Sequence, residues 1–397
     1  MLVSTARMKV LHLVSRYRWT GCAEPAVNLC RFLAQEGADA RLCCVPGGSL
    51  ELRARELGAR IVPAARLGRD YTPWGILRAA RNLARYVARE RIDLVHTHTS
   101  HDHWLAALSG AVSSECRAPL IRTHHETRRI RTGTVWRRIF NRHTAMNVTV
   151  SEASRRFFEE SGAIRPERVR TIHGGLDFSR FRTSAPPAAV RAAWGIPPKA
   201  SLVAHLSHIG PDRRQDRMLE AFGIVAEEFP SAWLVFLGQG NKSTVRLLRE
   251  KVGSQGFANR VLFSRDFSGA GTAWLDQVAA VDQVAVLAVG SEGSSRGVME
   301  AMALAKPVAG ARTGVIPELI DDGETGWLVD PDQPLSIAGA LREMIRDPAL
   351  SRRTGSAAAA VIKTRFRCER QAREMMVLYQ EVLGSPRAAS ASPGGSR

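Results

Sequence analysis

Lysine, cysteine and aromatic residues are all scarce in this 397-residue chain. The six cysteines (Cys22, Cys30, Cys43, Cys44, Cys116 and Cys368) form no C-x-x-C pair and match no zinc-ligand spacing. That argues against a disulfide framework or a cysteine zinc site and points to reduced thiols. No uninterrupted apolar stretch approaches the ~18 residues that a bilayer crossing needs. The residues before Arg7 and Lys9 hold too little apolar sequence to read as a secretory signal, so a cytoplasmic protein is expected. Aromatics make up only 6% of the chain and no ring array is interleaved with the basic residues, so nucleic acid is not an expected partner.

Arginine, by contrast, is abundant. Basic residues number 56 against 38 acidic, a formal charge of +18, and only six of them are lysines. Residues 1–190 hold 31 basic and 16 acidic side chains, a net +15, whereas residues 191–397 hold 25 and 22, a net +3. Genome composition would account for arginine over lysine, but not for this asymmetry. A basic half suits an anionic partner: a membrane surface, nucleic acid or a phosphorylated substrate. With 45% hydrophobic and 24% charged residues the composition is that of a folded protein, and the length suggests two domains.

Hydrophobic patterning predicts strands at 8–15, 40–45, 93–97, 119–123, 147–150 and 169–173, with helices from residue 25 and over 77–89 between them. Residues 184–198, rich in Pro, Ala and Gly, read as a linker. Alternation then resumes, with strands at 201–206, 232–237, 260–263, 283–289, 307–309 and 326–329. Helices are expected at 217–228, 244–252, 297–305 and 334–346. Residues 384–397 read as a loose tail. Strands alternating with helices imply an α/β architecture of two doubly wound parallel-sheet domains. In such folds ligands sit beyond the carboxyl ends of the strands, and the cleft between two domains is the default site.

The most informative stretch is 291–306, SEGSSRGVMEAMALAK. Gly293, Ser294, Ser295 and Gly297, around Arg296, leave backbone N–H groups open at a helix start, a ready anion site. Glu292 and Glu300 flank them, and a carboxylate can accept two hydroxyl hydrogen bonds at once, which suits sugar diols. The plainer alternative is a cap charge and a solvated helix face. Gly238-Gln239-Gly240 is not a nucleoside-triphosphate loop, since no Gly-Lys pair follows and position 236 is Phe. Six of eleven histidines fall between His96 and His125 (His96, His98, His101, His103, His124, His125). They could bind zinc or be satisfied core and loop residues; no metal is expected, because their spacing matches no usual site. The segment 128–142, RRIRTGTVWRRIFNR, carries six arginines and no acid. It reads either as a basic amphipathic membrane-surface helix or as a packed helix with a solvated arginine face.

Glu292-x7-Glu300 with Ala301-Met302-Ala303 and Lys306-Pro307-Val308, followed by Gly314 to Ile320 and Asp322 to Val329, resembles the signature of the family-4 retaining GT-B glycosyltransferases. Gly21-Cys22-Ala23-Glu24, Val150-Ser151-Glu152 and Gly175-Leu176-Asp177 are similar to that family's earlier motifs. The resemblance implies a GT-B fold of two Rossmann-like domains facing across a cleft: an acceptor domain over 1–183, a linker over 184–198, a donor domain over 199–365, and a helix over 366–383 returning to the first. A UDP- or GDP-linked sugar would be the donor, with Glu300 on the ribose, Glu292 on the transferred sugar, Gly293 to Gly297 at the diphosphate, Gly238 beside the nucleotide and Gly21 approaching from the other domain. Arg213 would stabilise the leaving charge, and His208 stands where the family usually has arginine. His125, or alternatively His124, would be the active-site histidine near the donor sugar. His98 or His101 would line the acceptor side, and Arg128, Arg129, Trp136, Arg137 and Arg138 would face a glycan or lipid-linked acceptor and an anionic membrane.

The implied reaction retains anomeric configuration and needs neither metal nor cofactor; its setting would be bacterial polysaccharide or lipopolysaccharide synthesis. His208, Cys22 and Gly174 depart from the family pattern. They keep a non-catalytic relative in view, beside a nucleotide-sugar epimerase and, last, a nucleic-acid binder.

Overall fold

Twelve strands among the described residues, every neighbouring pair parallel, divide into two six-stranded sheets in the computed structural model. It describes residues 7–19, 23–65, 67, 72–113, 118–125, 133–264, 273–287 and 292–384.

The first unit runs β1 (Lys9–Val14), α1 (Ala23–Gln35), β2 (Asp39–Cys44), α2 (Ser49–Glu56), α3 (Pro73–Glu90), β3 (Leu94–Thr97), α4 (Ser100–Val112), β4 (Leu120–His124), α5 (Thr134–Arg138), β5 (Met146–Thr149), α6 (Glu152–Glu160) and β6 (Val169–Thr171). The second runs α7 (Pro187–Ala193), β7 (Ser201–Leu206), α8 (Gln215–Glu228), β8 (Ala232–Leu237), α9 (Lys242–Gly253), β9 (Val261–Phe263), α10 (Trp274–Ala280), β10 (Gln283–Val286), α11 (Glu292–Ala303), β11 (Val308–Ala311), α12 (Ile316–Leu319), β12 (Trp327–Val329), α13 (Pro334–Arg346) and α14 (Pro348–Arg365). The last helix, α15 (Cys368–Gly384), belongs to the first unit.

The strands read as near-continuous apolar runs because parallel sheets are covered on both faces; β8, AWLVFL, is buried at all but one position. Helix boundaries follow local chemistry. Thr72 caps α3 by accepting from the Gly75 N–H, Pro73 occupies its first turn, and Arg91 ends it in the left-handed region at φ 52°. On α15, Ala372, Met375, Tyr379 and Val382 recur at helical spacing and enter the core formed with α1. Burial of each larger apolar side chain there contributes roughly 1.5–3 kcal/mol.

The chain passes between units at Gly175–Leu176 and at Phe366–Arg367. A Cβ on Gly175 would lie 2.4 Å from the Arg367 backbone carbon, so only glycine permits this approach. Within the second unit, the Leu176 N–H donates to the Phe366 carbonyl at 2.9 Å. Residues 184–198, expected as a linker, instead hold α7 and bury Val190, Trp194 and Ile196 in the second unit's core. Pro186 and Pro187, read as linker composition, here mark a helix start.

Strand order locates the sites. The first sheet runs β2-β1-β3-β4-β5-β6, so successive crossovers reverse direction between β1 and β3. The second runs β12-β11-β10-β7-β8-β9, the dinucleotide-fold order, with its reversal between β7 and β10. At such switch points the loops leave in opposite directions and open a crevice for ligand.

Candidate functional site

At the first switch point, His12 on β1 stands in register with His96 on β3, and His98 follows one residue beyond β3. His12 Nδ1 lies 3.0 Å from His98 Nε2, and His98 Nδ1 lies 3.1 Å from His125 Nε2. His96 is held separately, Nδ1 to the Tyr379 hydroxyl at 2.5 Å and Nε2 to Thr123 Oγ1 at 2.7 Å. The His96 and His98 rings stack with centroids 4.4 Å apart. All four histidines are buried. Burial pushes His12 down to about 3 and holds His96 and His98 well below the ordinary imidazole value, with neighbouring imidazoles and Arg122 adding to the effect.

His12, His96 and His98 each bring a ring nitrogen within 4.8 Å of the others. Both nitrogens of His96 and both of His98 are already engaged, and a dication there would have to break those bonds. The donor set therefore describes a hydrogen-bonded imidazole network.

The loops leaving β1 and β3 are latched together. Asp102 completes a capping box with Thr99 at the start of α4 and accepts from the Ser15 N–H at 2.8 Å. The Thr99-x-x-Asp102 spacing is the sequence signal for this cap. His101 sits half-buried in the first turn of α4. His124 turns away from the network: its Nε2 is 3.0 Å from Asn147 Oδ1 and its ring packs 4.5 Å from Phe158. Of the two adjacent histidines, His125 is the one hydrogen-bonded to His98.

At the second switch point, the loop leaving β7 carries His208 and Arg213. Gln215, buried, donates to Ser207 Oγ at 3.2 Å and to the His208 carbonyl at 3.0 Å, so it holds the loop from beneath. His208 is exposed, and partial burial together with the Arg213 guanidinium holds it below the ordinary value. Arg213 closes the short turn Pro211–Arg213, and Arg214 follows at φ 59° with its guanidinium 2.6 Å from Asp332. Under the loop, His205 is buried, and burial pushes it down to about 4 while a hydrogen bond with the Arg213 backbone acts the other way.

Gly238 and Gly240 pack against this same loop. At φ 154°, a Cβ on Gly238 would lie 1.9 Å from the Ser207 carbonyl oxygen, and one on Gly240 would lie 2.8 Å from Ile209. Their small size thus sets the spacing of the β7 and β8 exit loops.

Across the switch point, α11 begins at Glu292, five residues earlier than its sequence pattern predicts, so Gly293, Ser294 and Ser295 fall in its first turns. The side chains of Glu292, Ser294 and Ser295 lie outside the described residues, as do Gly21, Arg128 and Arg129 altogether. A Cβ on Gly297 would meet Leu206 at 2.8 Å, so glycine lets α11 lie close against β7. Glu300 is buried and receives two charge-assisted hydrogen bonds, from Arg296 Nε to Oε1 at 2.7 Å and from Trp274 Nε1 to Oε2 at 2.6 Å. Trp274 carried no sequence signal; a lone tryptophan at a helix start reads as packing.

The basic segment uses its apolar side internally. Ile139 and Phe140 are buried, and Trp136 packs with its centroid 5.9 Å from Phe140. Arg137 and Arg138 are exposed, and Arg137 donates to the Ser161 carbonyl at 3.1 Å. Of the two alternatives, this packing is that of a packed helix with a solvated arginine face. The α-helical part ends at Arg138, and residues 139–143 continue as a wider π turn. Among the described residues no helix is long and apolar enough to cross a membrane.

Two family models match the chain in tandem: Glycosyltransferase Family 4 over residues 20–180 and Glycosyl transferases group 1 over residues 188–361. A D-inositol 3-phosphate glycosyltransferase of Streptomyces avermitilis is 33% identical over 197 residues, covering 48% of this chain but only 42% of that relative. An N-acetyl-alpha-D-glucosaminyl L-malate synthase of Bacillus anthracis is 23% identical over 318 residues, 79% of this chain and 81% of the relative. Among solved structures, a glycosyltransferase from Rickettsia africae superposes with a TM-score of 0.82 at 16% identity, covering 96% of this chain and 99% of that one. HepE of Anabaena, in complex with UDP and glucose, superposes with a TM-score of 0.77 at 21% identity, covering 94% and 100%. At these identities the superpositions speak to the fold.

Proposed function

The chain belongs to the family-4 glycosyltransferases of the two-domain GT-B kind, and from that premise we propose that it moves a sugar from a nucleotide-diphosphate sugar to a hydroxyl of a glycan or lipid-linked acceptor. The observation that carries this reading is the second switch point. There the β7 loop with Arg213 and the start of α11 leave the same edge of a parallel sheet, and a buried carboxylate, Glu300, lies two turns into α11. Backbone N–H groups at a helix start together with a guanidinium form a diphosphate site. A buried carboxylate there accepts hydroxyl hydrogen bonds from a ribose, with Arg296 and Trp274 holding it in place.

The bond broken joins the anomeric carbon to the diphosphate, and the bond formed joins that carbon to the acceptor oxygen on the same face, so configuration is retained. The acceptor proton passes to a leaving phosphate oxygen, whose negative charge Arg213, His208 and the α11 N-terminus stabilise. Glu292 holds the transferred sugar. No metal or cofactor enters this scheme. HepE, bound with UDP and glucose, makes a UDP-sugar the first donor to try.

The acceptor side favours a second reading, a small anionic acceptor. The +15 charge of residues 1–190 supports it, as do relatives named for inositol phosphate and malate. Peripheral attraction to an anionic membrane would draw on the same arginines.

The test is turnover of UDP- and GDP-sugars with phosphorylated, hydroxy-acid and lipid-linked acceptors, with the product anomer read by NMR. Retained configuration in the wild type, and loss of most activity in Glu300→Ala with an unchanged fold, support the proposal. Inverted product, or near-normal turnover in Glu300→Ala, refutes it.

A further inference from the structure

The net +15 of residues 1–190 finds no use at the first switch point, where the converging imidazoles of His12, His96 and His98 are neutral. Part of that charge is concentrated on α3, which holds Arg78, Arg81, Arg85 and Arg89 and no acid before its last residue, Glu90. Arg78, Asn82, Arg85 and Arg89 follow one another at intervals of four, three and four, so they share one face of the helix. Like charges a turn apart repel, and the helix interior supplies no acid to offset them.

That face of α3 lines a groove of about 760 Å³ within the first unit. The segment 61–65, an apolar run of Ile, Val, Pro, Ala and Ala, lines it too. This segment is tied to the edge of the first sheet, since the Val62 N–H donates to the Leu42 carbonyl at 2.8 Å. Arg55 of α2 adds a further guanidinium, so the lining among the described residues carries four arginines against one acid, Glu51. Glu51 is already engaged, accepting from the Gly47 N–H at 2.6 Å and from Arg55 at 2.8 Å. Glu90, at the end of α3, accepts from Arg41 at 2.9 Å and from Arg89 at 3.1 Å. The Arg89 guanidinium lies over the Tyr86 ring, 5.6 Å from its centroid, and the Tyr86 hydroxyl accepts from Arg41 at 3.2 Å. The acids here are thus spent on holding the groove together, and the cationic excess remains.

We propose that this groove is a binding site for a phosphate-bearing ligand with two phosphate groups about 10 Å apart, one at Arg78 and the other between Arg85 and Arg89. A helical rise of 1.5 Å per residue puts Arg78 and Arg85 about 10 Å apart along the axis and Arg89 about 6 Å further. The planar guanidinium matches phosphate oxygens in pairs, and the carbon framework between the phosphates lies on the apolar segment 61–65. The volume is that of a site for a small molecule. The lining shares no residue with either switch point, and the proposal does not rest on the transfer reaction. A free sugar bisphosphate and a two-phosphate lipid headgroup share this chemistry.

The test is calorimetric titration of the full chain with fructose 1,6-bisphosphate at low salt. The wild type is expected to bind one equivalent in the groove. Arg85→Glu weakens that binding roughly tenfold or more. Arg81→Glu, the same charge change on the same helix but outside the groove lining, leaves it nearly unchanged. Glycerol phosphate, with one phosphate, binds more weakly than the bisphosphate. Arg85→Gln, a milder change at this exposed position, shows a smaller loss in the same direction and serves if Arg85→Glu does not fold.

Sedimentation with cardiolipin vesicles separates the two sources. Binding that Arg85→Glu loses, Arg81→Glu keeps and the free bisphosphate displaces identifies a headgroup ligand; without that pattern, the calorimetric result identifies a free one. Three results overturn the proposal: no saturable binding of the bisphosphate, an equal loss in Arg81→Glu and Arg85→Glu, or binding that Arg85→Glu and Arg85→Gln leave unchanged.

Discussion

At the switch point of the first sheet the converging side chains are imidazoles kept neutral by burial, while at that of the second they are arginines, an exposed histidine and a buried carboxylate. The contrast runs against the charge of the two halves. Residues 1–190 carry the net +15, yet much of their arginine lies on exposed helix faces, such as Arg78, Arg81, Arg85 and Arg89 of α3. Residues 191–397 are nearly balanced, yet carry Arg213 in the loop that leaves β7 and Arg296 in the first turns of α11. Net charge describes how a half attracts a partner from a distance, and placement describes what it does on contact.

The comparison can be broken in several places. The largest effect is expected at Glu300. Replacing it with alanine should lower kcat/KM by roughly 10²-fold or more, because a charged acceptor for substrate hydroxyls is lost and Arg296 and Trp274 lose their anchor. Steady-state kinetics with the chosen UDP-sugar would check this, and an unchanged kcat/KM would remove the carboxylate from the account.

Acid should separate the two units next. His12, His96, His98, His103 and His124 in the first, and His205 and His208 in the second, are all held below their unfolded value of about 6.5, His12 to about 3 and His205 to about 4. Between the unfolded and folded values the unfolded chain binds more protons, so stability is full above about pH 6.5 and declines as the pH falls. Each buried histidine contributes a slope of up to about 1.4 kcal/mol per pH unit. Five against two predicts that the first unit loses hydrogen-exchange protection before the second as pH falls from 7 to 5. Simultaneous loss would contradict the difference in burial.

A smaller effect sharpens the second unit. Gly238→Ala should destabilise by roughly 2–4 kcal/mol, since its Cβ would collide with the Ser207 carbonyl; a thermal melt reads this directly.

Much of this was legible in the sequence, and for physical reasons. Strands β7 and β8 fall where their apolar runs predict, at Ser201–Leu206 and Ala232–Leu237, because a strand covered on both faces has few other ways to be written. The resemblance picked out Glu300 through its spacing from Glu292. Helix α7 was missed because two prolines and several alanines look alike in a linker and in a proline-started helix. Trp274 and Gln215 were missed because their roles arise from tertiary contact with residues 26 and 7–8 positions away, which no local pattern reports. The histidines stood out as a group, but only the three-dimensional register separates His125, joined to His98, from His124, which turns to Asn147.

The central claim is that the second switch point holds a nucleoside diphosphate, and thermal unfolding with UDP, GDP, ADP and CMP, on the wild type and on Arg213→Ala, tests it most directly. A nucleotide at a hundred times its Kd should stabilise the folded chain by about 2.7 kcal/mol. The account predicts that one diphosphate raises the melting temperature of the wild type and that Arg213→Ala loses most of that rise. No response to any of the four nucleotides, or an equal response in the variant, would contradict it.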